Sequence, residues 1–134
     1  MTPDELKQRS KRFALRVMKL VEALPHSTSG QVLGRQLLRA ATSVAANYRA
    51  ACRARSHAEF IAKLGIVEEE ADECVFWLEM IEESQLVPAS RLTELTREAS
   101  ELTAIMVSSI RSARKRASAN PQSAIRNPQS PASS

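Results

Sequence analysis

Little in this chain builds strands or turns. Of its 134 residues, three are glycine, six proline and five aromatic. Sheets draw on β-branched and aromatic residues and on turn formers, so a strand-rich frame is excluded. Cysteine and histidine are equally scarce, two of each. A di-iron bundle needs Glu-x-x-His on two helices. His26 sits in a predicted loop and His57 at a predicted helix start, and neither completes that motif. A zinc site wants four suitable ligands, which two separated cysteines and these histidines do not supply. No metal or other cofactor is therefore expected. Cys52 and Cys74 fall inside helical patterns, as small buried hydrophobes of a reducing cytoplasm. No apolar run approaches the roughly 18 residues of a membrane span. The opening MTPDELKQRSKRF has no apolar stretch of the signal-peptide kind. A cytoplasmic protein without membrane contact is expected.

Enzyme signatures are missing too. Gly30, Gly34 and Gly65 are isolated and form no phosphate loop. Gly34 and Gly65 read as points of close helix–helix contact. Arg53 and His57 are separated by three residues, fewer than in the Arg–His motif of helical ribonuclease toxins. Carboxylates abound between residues 68 and 83, with no evident base or nucleophile beside them. The expectation is a protein that is not an enzyme.

What is present is Ala, Leu, Glu and Arg, all good helix formers, in a length that suits one domain. Thr2-Pro3-Asp4-Glu5 carries a capping box with proline at the first helical position. Leu6, Phe13, Val17, Leu20 and Leu24 then recur at helical spacing until Pro25. A second helix starts near Ser29, its apolar face running through Leu33, Leu37, Ala40, Ala41, Val44, Tyr48, Ala51 and Cys52. Ser56-His57-Ala58-Glu59 is a second capping box. After it Phe60, Leu64, Val67, Ala71, Cys74, Leu78 and Ile81 alternate by four and three, a clean heptad stripe. Ile61, Ile66, Trp77 and Met80 lie off that stripe and suggest a second apolar surface, with Trp77 and Met80 as candidate oligomer-interface residues. A fourth helix follows from about Pro88 through Leu92, Leu95, Ala99, Leu102 and Met106, ending in Arg111, Arg114, Lys115 and Arg116. Four long helices with short links predict an all-α, antiparallel up-down-up-down bundle over residues 1–117. From Ser118 the composition turns to Pro, Ser, Asn and Gln, with Asn120-Pro121-Gln122-Ser123 repeated as Asn127-Pro128-Gln129-Ser130. Residues 118–134 are expected to be a disordered tail.

Charge is distributed in blocks. Residues 1–55 hold eleven Lys and Arg against three acids, residues 56–104 three against twelve, and residues 105–134 five against none. No acidic residue occurs between Glu22 and Glu59. Clustered cations are rewarded by phosphate chains through counterion release. Candidate nucleic-acid contacts are Arg9, Lys11, Arg12 and Arg16 on the first helix and Arg35, Arg39, Arg49 and Arg53 on the second, with the basic end of the fourth helix adding to that surface. Alternatively, the acidic third helix of one subunit pairs with the basic helices of the next, and the protein is an interaction or scaffold module.

Two stretches carry a family resemblance. They are Gln36-Leu37-Leu38-Arg39-Ala40-Ala41-Thr42-Ser43-Val44-Ala45-Ala46-Asn47 and Ser56-His57-Ala58-Glu59-Phe60-Ile61-Ala62-Lys63-Leu64. Together they resemble the bacterial four-helix-bundle family known as the 23S rRNA intervening-sequence proteins, over about residues 5–115. Arg39, Asn47, Ser56, Glu59 and Phe60 match its pattern. Ala45-Ala46 and Arg49-Ala50-Ala51 depart from it. The resemblance implies an antiparallel bundle assembling as a homopentamer, with no catalytic residue to carry over. Accessory proteins of diversity-generating retroelements look similar in fold. By analogy with them, partners would be RNA or DNA and a protein such as a reverse transcriptase.

Overall fold

The computed structural model describes residues 1–119. Its helices are α1 (Pro3–Glu22), α2 (Thr28–Cys52), α3 (His57–Glu83) and α4 (Thr93–Ala119), with one 3₁₀ turn at Ala89–Arg91. They form the expected four-helix bundle, and among the described residues there is no strand. The links are too short for anything but antiparallel neighbours. Tail residues from 120 onward lie outside the described residues.

Capping chemistry sets where each helix begins. At α1 the Thr2 hydroxyl accepts from the Glu5 amide at 3.1 Å, and the Glu5 carboxylate accepts from the Thr2 amide at 2.8 Å. The predicted box is thus complete. The α2 cap is Ser27, whose hydroxyl accepts from the Gly30 amide at 3.1 Å, so α2 starts one residue earlier than expected. At α3 only half the expected box forms. Ser56 accepts from the Glu59 amide at 3.0 Å, but the Glu59 carboxylate takes the amide of Arg55 at 3.3 Å.

Helix 4 departs from expectation at both ends. Pro88 does not open it. A 3₁₀ turn intervenes and delivers Leu92, fully buried, into the end of the core before α4 begins at Thr93. At the far end α4 continues through Ser118 and Ala119, two residues past the boundary that composition predicts for the tail. Nothing between Arg111 and Ala119 breaks a helix, and the next proline after Pro88 is Pro121.

The core follows the predicted stripes. Leu64, Val67, Ala71, Cys74, Leu78 and Ile81 of α3 are buried, and Phe60 is partly covered. Buried Ala40, Ala41 and Ala51 let α2 sit close to α3, the most intimate helix pair, whereas α1 and α4 approach each other least among neighbours in the ring. Gly34 is the close contact expected, since a Cβ there would lie 3.1 Å from Val21 and 3.2 Å from Leu24. Gly65 is not. A Cβ at Gly65 would meet nothing within 4 Å, because that side of α3 faces away from its neighbours.

Candidate nucleic-acid interface

Folding sorts the eight candidate cations into two groups. Arg9 is clasped by two carboxylates of α4. Its Nε donates to Glu98 Oε2 at 2.6 Å, and its Nη2 donates to Glu98 Oε1 at 2.8 Å and Glu101 Oε1 at 2.6 Å. Hydrogen bonding from Arg9 holds the Glu98 carboxyl below its usual range. Arg39 donates to both oxygens of Glu70 and to Glu73, all on α3. Arg16 lies 3.5 Å from Glu94. Arg9 and Arg39 are therefore paired within the chain, and Arg16 is partly engaged. Lys11, Arg12, Arg35, Arg49 and Arg53 are exposed and form no ion pair among the described residues.

Three of these free cations converge. Lys11 on α1, Arg49 on α2 and Arg53 at the C-cap of α2 line one groove of about 640 Å³ between the two helices. Lys7 joins them, its charge shared with exposed Asp4 at 3.2 Å. Small residues, Ala14, Ala45 and Ala46, leave the space open, and two large apolar side chains, Leu15 and Met18, extend it while remaining 52% and 37% exposed. Gln8 and Thr42 add neutral polar groups.

The antiparallel course concentrates charge further. The start of α1, end of α2, start of α3 and end of α4 share one end of the bundle. Residues 1–12, 45–66 and 97–119, which make up that end and include the carboxylates that clasp Arg9, contain thirteen Lys and Arg against five acids, a net +8. The other described residues, 13–44 and 67–96, hold five against ten. Blocks that alternate along the sequence thus become a basic end and an acidic remainder. A concave basic surface of this kind attracts anionic chains and raises their local concentration.

On α3 the two candidate interface residues part company. Trp77 packs against the core, donates its indole N–H to Glu73 at 3.2 Å and meets Phe76 edge-on at 4.9 Å. Its indole shares the Glu73 carboxylate with Arg39. Met80 is exposed, and so is Phe76, which the sequence reading passed over. Leu15 and Met18 were missed in the same way. Their departure from the α1 stripe was the available signal. Asn47 bonds within α2, to the Ser43 carbonyl at 3.0 Å and hydroxyl at 2.8 Å. Among the described residues no group of three or more His, Cys, Asp or Glu is placed to hold a metal ion, and no helix is long and apolar enough to cross a membrane.

Comparison with known proteins places these features in context. Residues 4–108 match the family described as 23S rRNA-intervening sequence protein. A crystal structure of a protein of unknown function from the S23 ribosomal protein family of Bacteroides thetaiotaomicron is similar, with 32% sequence identity and a TM-score of 0.77. The match covers 83% of this chain and 99% of that one. No match is found among curated proteins.

Proposed function

The chain belongs to the 23S rRNA-intervening sequence protein family, and within it we propose a non-enzymatic, cytoplasmic, homo-oligomeric bundle that binds nucleic acid through its basic end. One observation carries this reading. Lys7, Lys11, Arg49 and Arg53 surround a single groove, and three of the four have no ion-pair partner among the described residues. Cations held apart from carboxylates keep their full attraction for phosphate, and each phosphate they neutralise releases counterions. Arg supplies forked donors suited to phosphate oxygens. With Tyr48 buried, no aromatic platform stands in the groove, so the binding is sequence-tolerant.

Salt-titrated anisotropy with labelled RNA and DNA tests the reading. Affinity should fall steeply with salt, and Lys11→Glu, Arg49→Glu and Arg53→Glu together should weaken binding and flatten the salt slope. Absence of affinity for any nucleic acid at low salt overturns it.

A second reading is favoured by exposed Phe76 and Met80, set on α3 among Asp72, Glu79 and Glu83. There the acidic face of one subunit docks on the basic groove of the next, and the protein is a scaffold. Light scattering that gives a monomer at micromolar concentration excludes that alternative.

A further inference from the structure

The groove between α1 and α2 has two walls of like design. Lys7 and Lys11 are four residues apart on α1, and Arg49 near the end of α2 stands four residues before Arg53, the residue that caps that helix. Residues at that spacing sit one above the other on the same face, about 6 Å apart along the axis. Two short cation rows therefore run side by side in opposite chain directions. Between and beyond them run apolar residues, from Ala14, Ala45 and Ala46 to exposed Leu15 and Met18, with Gln8, Thr42 and the Lys7-paired Asp4 as the other polar groups of the lining. Large apolar side chains left in water beside unpaired cations suit a ligand that is anionic along its edge and apolar on its faces.

Building on the nucleic-acid reading above, we propose that this groove takes a single strand of RNA or DNA rather than a duplex. Phosphates lie along the two cation rows, and bases lie over Leu15 and Met18. The floor of the groove is the seam between α1 and α2, made of Ala14, Ala45 and Ala46. A single strand turns its bases onto Leu15 and Met18 while its phosphates follow the cations. A duplex keeps its base faces stacked out of reach. It can touch the cation rims from outside but cannot bring a base onto Leu15 or Met18. Aliphatic side chains accept any base face, so discrimination is between strandedness and not between sequences.

Fluorescence anisotropy on the full chain tests this with three probes: labelled oligo-U, oligo-dT and a mixed-sequence duplex, each about twelve nucleotides long. Both single strands should bind more tightly than the duplex. The double variant Leu15→Ser, Met18→Ser should weaken single-strand binding at least about threefold and leave duplex binding unchanged. Both positions are exposed, and circular dichroism checks that the variant folds. The double variant Arg49→Ala, Arg53→Ala should weaken all three probes. Equal affinity for the duplex, or no effect of the apolar variant on the single strands, overturns the single-strand inference and leaves the nucleic-acid reading standing. If no probe binds at low salt while an acidic amphipathic peptide does, the groove is a protein-docking site and both readings fall.

Discussion

Arg9 grips Glu98 with two parallel hydrogen bonds, 2.6 and 2.8 Å long, across the seam between α1 and α4. Of the helices adjacent in the ring, those two approach each other least, so this clasp substitutes for packing that the seam lacks. Both side chains are mostly covered, and bidentate charge-assisted bonds are stronger than neutral ones. Glu98→Gln should lower stability by about 1–3 kcal/mol, read by denaturant titration. The Glu98 pKa is depressed in the folded state, chiefly by the Arg9 hydrogen bonds. Its contribution is then present above the unfolded carboxylate range and lost as pH falls through the folded value. The gap between wild type and Glu98→Gln should therefore narrow in acid. A gap that stays constant down to strongly acidic pH contradicts the assignment.

Two glycines should respond to alanine with opposite signs. At Gly30 a Cβ would be driven into the carbonyl oxygen of Pro25, backbone that cannot swing aside, and Gly30→Ala should cost about 1–3 kcal/mol. At Gly65 a Cβ would meet open space in the middle of α3, where glycine is the poorer helix former. Gly65→Ala should stabilise by up to about 1 kcal/mol. Thermal melts of the two variants decide both.

Gln85 has a positive φ of 59° and closes α3. Its amide donates to the Glu82 carbonyl at 3.0 Å, and the Leu86 amide donates to the Ile81 carbonyl at 3.4 Å. That is the pattern of a Schellman motif, whose left-handed position glycine usually fills. Gln85→Gly should stabilise by roughly 0.5–1 kcal/mol through relief of left-handed strain. Gln85→Val, β-branched, should destabilise. Equal melting temperatures for all three would show the turn to be unstrained.

Periodicity made the bundle legible. The α3 stripe from Leu64 to Ile81 was visible as an alternation of four and three, and every member is buried. Caps were legible where the residues act on each other alone, as at Thr2 and Glu5. Partnerships between helices were not. That Arg39 would be taken by Glu70 and Glu73, and Arg9 by Glu98 and Glu101, depends on how neighbouring helices are rotated and staggered, which a one-dimensional pattern does not encode. The basic end was hidden for the same reason, since it is assembled from four segments distant in sequence. Gly65 misled because small residues serve both as contact points and as plain surface.

Burial of the Cys74 thiol, with the Glu70 and Glu73 carboxylates nearby, pushes its pKa up to about 12. The folded state holds the proton more tightly than the unfolded chain does. Stability is then full below the ordinary thiol range and declines as pH rises toward the folded value. Buried Tyr48, also raised by desolvation, acts in the same direction. Cys74→Ala should lessen the alkaline loss while creating a small cavity that lowers stability at neutral pH. Thiol labelling of the native protein should spare Cys74 until the bundle is unfolded, and rapid native labelling at that position contradicts its burial.

Arg39 and Arg49 look alike in sequence, two exposed arginines on one helix, and should behave differently. Arg39 ties α2 to the carboxylates of Glu70 and Glu73, so its guanidinium is already neutralised by its own chain. A phosphate strand would have to displace those acids and face their charge. Arg49 forms no ion pair among the described residues and lines the α1–α2 groove. Arg39→Ala should leave nucleic-acid affinity within about a factor of two. Arg49→Ala should weaken it and reduce the salt slope by about one. Measured side by side across a salt series, these two variants separate a clasp from a contact. If Arg39→Ala flattens the slope as much as Arg49→Ala, the phosphate path crosses the α2–α3 face and not the groove beside α1.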